Sequence, residues 1–305
     1  MHPLMNHYHN RVQWVELIDS WKKWPTFWIS ACTHWWEYAG LRVIDHLLNS
    51  TWLKSQLVCG KVFLILANIQ AYQFSFQCKH PADARFIDEN LNRCCTKENL
   101  LYGTSYEAWR ASELETILAG LDYHLDIHST YSKSQALWIV TEKWKTEIGE
   151  VLNVDVIYEN LTEIQVGKPF IDITERNGGI WIWLEAWWEM DETWFLIGVE
   201  NCLRLLIHFN MLNETNLNLQ EFHRKENRKI EVYSSIVPKG KHFQPVKNFQ
   251  HNDEVQKGEI IGSDDKHSYP VSEDSIILML SVPEKLKVIL EKGQIEEYCF
   301  LWRTS

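Results

Sequence analysis

One stretch of the sequence decides the fold class, and it reads TFWISACTHWWE from Thr26 to Glu37. Its first part, Thr26 to Cys32, is a short run of β-prone residues. The next segment, Glu37 to Asn49, places apolar side chains on one face at helical spacing: Ala39, Val43, Ile44, Leu47 and Leu48. A strand that leads directly into an amphipathic helix is the repeating unit of α/β proteins.

The same alternation continues along the chain. Further strands are predicted at Lys61 to Asn68, Asp122 to His128, Ala136 to Thr141 and Ile180 to Ala186. Further helices are predicted from Thr104 or Ser105 to Gly120 and from about Thr193 to Met211. After Asn213 the pattern changes to short β-prone pieces at Ile230 to Val237, Gly258 to Gly262 and Ile276 to Val282. We predict an α/β catalytic domain at 1–212 with a mixed central sheet flanked by helices, and a small, mostly β C-terminal domain at 213–305.

Composition and charge exclude several classes of protein. With 45% apolar and 23% charged residues, the chain is of ordinary globular composition. Its net charge of −11 disfavours nucleic acid and anionic membranes as partners, but allows a small anionic substrate held by a few local arginines. The seven cysteines contain no C-x-x-C pair, and no stretch reaches the roughly 18 apolar residues of a spanning helix. We expect a cytoplasmic protein, and the sequence leaves open whether it forms a homo-oligomer.

Candidate metal ligands follow two of the predicted strands. His34 and Glu37 form a His-x-x-Glu pair after the first strand, and His128 ends the Asp122 to His128 strand. Two imidazoles and one carboxylate are the ligand set of a catalytic zinc site, which leaves a fourth position open. A lone His-x-x-Glu pair is more often a surface feature. Asp126 would orient a ligand if its carboxylate faced His34 or His128.

Between these ligands lies the stretch RFIDENLNR, from Arg85 to Arg93. Together with four other motifs, this stretch resembles the aspartoacylase and succinylglutamate desuccinylase family of zinc carboxypeptidase-like deacylases. The other motifs are the His-x-x-Glu pair, the run Asp126-Ile127-His128-Ser129-Thr130, the strand ending in Leu184-Glu185-Ala186 and the helix YEAWRASEL from Tyr106. The segment Val255 to Gly262 is similar to that family's β-rich C-terminal domain. The resemblance implies a zinc carboxypeptidase-like fold for the first domain.

The resemblance also implies roles for individual residues. His34, Glu37 and His128 would hold one Zn²⁺ per chain. Glu185 matches the carboxylate that takes a proton from the attacking water and passes it to the leaving amine. Arg85 matches the arginine that polarises the scissile carbonyl.

Substrate binding is implied at a second group of positions. Asn92 and Arg93 match a pair that binds a substrate carboxylate, where a planar guanidinium can contact two oxygens. Arg176 is the counterpart of a second carboxylate-binding arginine, after a one-residue adjustment of loop length. Tyr298 is a candidate for a tyrosine that the family takes from its C-terminal domain.

These roles imply a metal-dependent hydrolase acting on linear carbon–nitrogen bonds, with an N-acetylaspartate- or N-succinylglutamate-like substrate. The alternatives are a zinc carboxypeptidase acting on peptide or cell-wall fragments, and a non-catalytic binding protein on the same scaffold with a tryptophan-filled pocket. The sequence does not choose between acetyl and succinyl, or between aspartate and glutamate.

An imbalance between tryptophan and glycine falls on the family's motifs. The chain has 16 Trp and 13 Gly, whereas average usage would give roughly 21 glycines. Tryptophan stands at motif glycines or beside them, at Trp24, Trp35, Trp36, Trp187 and Trp188. We hypothesise that these codons are UGA, read as glycine in the source and translated here as tryptophan; UGG codons would contradict this. The alternative is a divergent homologue with a narrowed or inactive site.

Overall fold

The computed structural model describes residues 15–34, 37–78, 85–118, 120–129, 138–142, 146–186, 192–213, 228–278, 281, 283–291 and 293–303. The chain divides into two compact units, one of residues 1–157 with 169–228 and one of 158–168 with 229–305. The predicted boundary between residues 212 and 213 stays a prediction.

The elements alternate along the first unit as the sequence pattern indicated. The strands are β1 Val15–Asp19, β2 Thr26–Ala31, β3 Lys61–Leu66, β4 Tyr123–Ser129, β5 Trp138–Thr141, β6 Val156–Glu159, β7 Ile180–Ala186, β8 Arg228–Ile236, β9 Gln244–Pro245, β10 Glu254–Val255, β11 Ile260–Ser263, β12 Ser268–Pro270, β13 Ser275–Leu278 and β14 Cys299–Arg303. The helices are α1 Tyr38–Asn49, α2 Thr51–Gln56, α3 Ile69–Ser75, α4 Lys97–Tyr102, α5 Tyr106–Leu118, α6 Thr146–Gly149, α7 Leu161–Ile164, α8 Asp172–Arg176, α9 Glu192–His208 and α10 Pro283–Glu291.

A mixed sheet forms the centre of the first unit. Its strands follow the order β1-β3-β2-β4-β7-β5. The four inner strands β3, β2, β4 and β7 are parallel, and β1 and β5 pair antiparallel at either side. Helices connect the parallel strands, as a parallel crossover requires. The predicted fold class is confirmed.

Both faces of this sheet are buried, which explains its nearly continuous apolar strands. Along β2, Phe27 and Ile29 belong to a core cluster that includes residues of α1 and α9. Trp28, between them, belongs to a second cluster that includes residues of α5. Successive side chains of a strand point to opposite faces, so the run buries residues on both sides.

The parallel arrangement brings the carboxyl ends of β2, β4 and β7 to one edge. In the strand registers, Ala31 pairs with Ile127 and His128 pairs with Glu185. Helix α1 packs tightly there, because a Cβ on Gly40 would lie 2.8 Å from the Cβ of Ala31 and 2.9 Å from the carbonyl oxygen of Ile127. The sequence candidates that follow or end these strands are thereby gathered in one place.

The second unit is mostly β, as predicted. Four of its strands pair antiparallel in the order β8-β14-β13-β10, and three more in the order β12-β11-β9. The helix α10 was not predicted from the sequence, although Leu286, Ile289 and Leu290 are buried at helical spacing. Within the described parts of the chain, no helix is long and apolar enough to span a membrane.

Two tryptophans occupy backbone positions that suit glycine. Trp21 has φ of 62° and Trp24 has φ of 43°. These angles lie in or beside the left-handed helical region, which costs an L-residue about 1–2 kcal/mol. Their side chains are 91% and 65% exposed, and the indole Nε1 of Trp24 donates a bond of 2.7 Å to Oδ1 of Asp122. Exposed packing and this single bond offset only part of the cost. The hypothesis of a natural glycine therefore gains support at Trp24, and it extends to Trp21. Its other positions, at 35, 36, 187 and 188, lie outside the described residues.

Replacing both residues by glycine, in the variant Trp21→Gly/Trp24→Gly, is expected to stabilise the protein by up to about 1 kcal/mol. Relief of backbone strain at two positions exceeds the added entropy of the unfolded chain and the loss of the exposed indole bond of Trp24 to Asp122. Urea unfolding would measure the change. The matched control is Trp109→Gly, which removes an exposed tryptophan from helix α5 and should destabilise by about 1 kcal/mol. A loss of stability in the double variant would contradict the strain argument.

Candidate active site

Three predicted ligands meet at the carboxyl edge of the sheet. His34 follows β2, Glu37 directly precedes α1 and His128 lies on β4; all three are buried. The Nδ1 atom of His34 lies 2.6 Å from Oε1 of Glu37, and the Nδ1 atom of His128 lies 3.0 Å from Oε2. One ligand atom from each residue falls within 4.8 Å of the others, as a metal site requires.

The far nitrogens of both imidazoles are held by acceptors. His128 Nε2 lies 2.7 Å from Oδ2 of Asp126, and His34 Nε2 lies 3.0 Å from Oδ1 of Asn90. An Nε2–H that donates to these oxygens leaves Nδ1 with a lone pair for a metal. Asp126 therefore meets the condition set from the sequence. Sequence reasoning missed Asn90, which lies 56 positions from His34.

The electrostatics of the cluster also suit a cation. Burial alone would raise the pKa of Glu37, but the two imidazoles outweigh it and hold that pKa below its usual range. Burial alone would lower the pKa of His128, but Glu37 and Asp126 outweigh it and hold that pKa well above its usual value. The pKa of His34 is lowered to about 4, by burial first and by the charge of Arg85 second. A metal ion would thus replace the proton that His128 carries between two carboxylates.

A buried chain of hydrogen bonds extends from Asp126 to helix α8. Ser30 Oγ donates to Oδ1 of Asp126 at 2.5 Å and lies 2.7 Å from Nε2 of His124. The Nδ1 atom of His124 lies 2.7 Å from Oγ1 of Thr174. Because the Ser30 hydroxyl proton points to the carboxylate, His124 carries its own proton on Nε2 and accepts from Thr174.

Glu185 stands beside the cluster at the end of β7. It is the register partner of His128, and its Oε1 accepts a bond of 3.0 Å from the indole Nε1 of Trp183. Burial raises its pKa to about 8, against the opposing effects of His128, Trp183 and Arg85. A carboxyl group with a pKa near neutrality can both accept and donate a proton in turn.

The segment that carries Arg85 contacts the cluster through Asn90, whose Oδ1 lies 3.0 Å from Nε2 of His34. Arg85 is buried, and its positive charge acts to lower the pKa of both His34 and Glu185. Asn92 is buried, and its Oδ1 accepts a bond of 3.1 Å from the backbone N–H of Phe170. Arg93 donates from Nη1 to the carbonyl oxygen of Asn92 at 2.7 Å.

Comparison with known proteins agrees with this geometry. Residues 23–160 match the family model of the succinylglutamate desuccinylase/aspartoacylase catalytic domain. This segment belongs to that family. The sequence has no match among curated proteins.

Solved structures of the succinylglutamate desuccinylase/aspartoacylase family have the same fold. A succinylglutamate desuccinylase from Vibrio cholerae is 16% identical with a TM-score of 0.69, covering 96% of this chain and 86% of its own. A succinylglutamate desuccinylase/aspartoacylase from Rhodobacter sphaeroides is 18% identical with a TM-score of 0.65, covering 96% and 90%. The product-bound ectoine utilization protein EutE (DoeB) from Ruegeria pomeroyi is 16% identical with a TM-score of 0.61, covering 95% and 88%. At these identities the likeness establishes the fold.

The contacts of two further family-derived candidates can each be described within their own unit. Arg176 ends α8, and its guanidinium lies 3.3 Å from Asp172 and 3.9 Å from Glu115. Tyr298 is buried in the core of the second unit, where its ring lies 5.0 Å from that of Phe243. Burial raises the pKa of Tyr298 to about 12. Substrate contacts by Arg176 and Tyr298 stay predictions.

Proposed function

We propose that this protein is a zinc-dependent amide hydrolase that removes the acyl group from an N-acyl amino acid of acidic character, such as N-acetylaspartate or N-succinylglutamate. The observation that carries the proposal is the buried cluster of His34, Glu37 and His128 with Glu185 beside it. Two imidazoles and one carboxylate are the protein ligands of catalytic zinc sites, which keep one position open for water or substrate.

The surrounding residues suit amide hydrolysis. Zinc would be held by His34, Glu37 and His128, and it would supply a Lewis acid that lowers the pKa of a bound water molecule toward neutrality. Glu185 accepts a proton on its carboxylate as water attacks and returns it to the leaving amine nitrogen. Arg85 directs its guanidinium at the scissile carbonyl and stabilises the negative charge that develops on its oxygen.

An acidic substrate is supported by the local charge. The chain carries a net charge of −11, yet Arg85 and Arg93 lie on one short segment, which contacts the cluster through the bond between Asn90 and His34. Asn92 and Arg93 provide an amide and a guanidinium for a carboxylate of the substrate. Because the field of a pocket can oppose that of the whole protein, a small anion is attracted there.

A reducing cytoplasm is the compartment we propose. All seven cysteines are free thiols, and five of them are buried. Disulfides are rare where thiols are kept reduced, so this cysteine usage supports the assignment.

Metal content and turnover test the function together. We expect the purified protein to bind one zinc ion and to hydrolyse N-acetylaspartate or N-succinylglutamate, to lose activity on dialysis against a chelator, and to regain it with Zn²⁺. Hydrolysis of peptides but of neither N-acyl amino acid would favour the carboxypeptidase alternative. Zinc-loaded protein without any hydrolysis would favour a binding protein.

A further inference from the structure

Four polar residues of the site lie on one segment that has little regular structure. Arg85, Asn90, Asn92 and Arg93 all precede helix α4, in a stretch of bends and turns. A segment of this kind needs bonds to rigid elements if its side chains are to keep their geometry.

One carboxylate holds the middle of this segment. Glu107, on helix α5, is fully buried. Its Oε1 accepts from the backbone N–H of Ile87 at 2.7 Å, and its Oε2 accepts from those of Asp88 at 3.0 Å and Glu89 at 3.2 Å. Oε1 also accepts a bond of 3.2 Å from Nδ2 of Asn68, which lies two residues after the end of strand β3. Both carboxylate oxygens therefore accept hydrogen bonds, and three of these bonds come from successive backbone amides of the segment.

Side chains of the segment also accept hydrogen bonds from residues at the start of helix α5. Oδ2 of Asp88 accepts from the backbone N–H of Tyr106 at 2.7 Å. Glu89 accepts from the hydroxyl of Ser105 and, at 3.5 Å, from Nδ2 of Asn99. The segment and the start of α5 are thus joined by bonds in both directions, with Glu107 as the buried member.

Burying a carboxylate costs free energy unless hydrogen bonds compensate for the lost hydration. Burial raises the pKa of Glu107, and the backbone amides of residues 87–89 oppose that shift. Of the neutral side chains of similar size, glutamine offers only one acceptor oxygen, and its NH₂ group would face N–H donors. Only a carboxylate accepts from all four donors at once.

We propose that Glu107 is a positioning residue for substrate binding, fixing the segment that carries Arg85, Asn92 and Arg93 against helix α5 and the end of strand β3. This role rests on the proposed function, because that function is what assigns substrate binding to Asn92 and Arg93. When the segment is loosened, only a fraction of molecules holds the binding arrangement, and the apparent affinity falls by that fraction. Saturating substrate selects the ordered arrangement and recovers the maximal rate.

The test compares Glu107→Gln with Glu113→Gln. Glu113 lies on the same helix and pairs with Arg110, so its replacement removes the same charge while the four bonds of Glu107 stay in place. We expect Glu107→Gln to raise KM about 10–100-fold with kcat within about threefold of the unchanged protein and zinc content unchanged. Glu113→Gln should keep both constants. A lower kcat at unchanged KM would show a merely structural role and would overturn the proposal.

Hydrogen exchange separates this proposal from the proposed function. In Glu107→Gln, the amides of residues 87–89 should exchange at least tenfold faster than in the unchanged protein and in Glu113→Gln. This readout needs no turnover, so it holds even if neither N-acyl amino acid is hydrolysed. Unchanged exchange at these amides would overturn the proposal. If Glu107→Gln does not fold, Glu107→Asp, whose shorter side chain keeps the charge, should give an intermediate rise in KM, and an unchanged KM would overturn the proposal.

Discussion

Glu185→Gln is expected to lower kcat by about 10²–10⁴-fold while the protein keeps its metal. The carboxylate lies beside the cluster as the register partner of His128, but it is not one of the three residues whose ligand atoms converge. Glutamine keeps the size of the side chain and its acceptor for the Trp183 indole, yet it cannot take up a proton. The substitution should therefore remove proton transfer and leave zinc binding intact.

The measurement is steady-state hydrolysis together with zinc content. Glu175→Gln is a matched control, because Glu175 also accepts a bond from an indole N–H, that of Trp181, but is exposed on helix α8. It should retain full activity. If Glu185→Gln hydrolysed substrate within a few-fold of the unchanged protein, Glu185 would have no part in proton transfer.

Acid is expected to destabilise the metal-free protein through His124. Burial lowers the pKa of this imidazole to about 4, below the value of about 6.5 in an unfolded chain. Between these values the unfolded state binds a proton that the folded state does not. Stability is therefore lost as the pH falls from about 6.5 to about 4, by up to about 3 kcal/mol from this residue.

Urea unfolding between pH 7 and pH 4, with a chelator present, measures this loss. His124→Gln keeps groups that can bond to the Ser30 and Thr174 hydroxyls but cannot be protonated, so its stability should vary less with pH. His46→Gln, which replaces an exposed histidine of helix α1, should show the unchanged pH dependence. Equal pH dependence in His124→Gln and the unchanged protein would contradict the role of His124.

Much of the fold was predictable because its signals are local. The β2 and α1 elements follow from a β-prone run and a helical apolar stripe, and the structure places them at Thr26–Ala31 and Tyr38–Asn49. The cap at the start of α5 was predicted at Thr104 or Ser105, and Ser105 Oγ accepts from the backbone N–H of Ala108 at 3.0 Å. The helix α10 escaped prediction, because its short apolar stripe follows a β-prone run.

The site was predictable only in part. The strand-end positions of His34 and His128 followed from the alternation of elements, and the proposed role of Glu185 came from the family resemblance. The bond from His34 to Asn90 and the bonds from Glu107 to residues 87–89 join positions far apart in the chain. No periodicity relates such positions.

Local pattern and motif alone were enough to predict the α/β class, to indicate the family resemblance and to single out three candidate metal ligands. These depend on strand and helix periods and on short spacings, which a linear chain displays directly. Tertiary structure decided which imidazole nitrogens face the cluster, how Glu107 holds the segment at residues 87–89 and that Trp21 and Trp24 have positive φ. Those features depend on where folding brings distant donors and acceptors, and on the backbone angles that the packed turns impose.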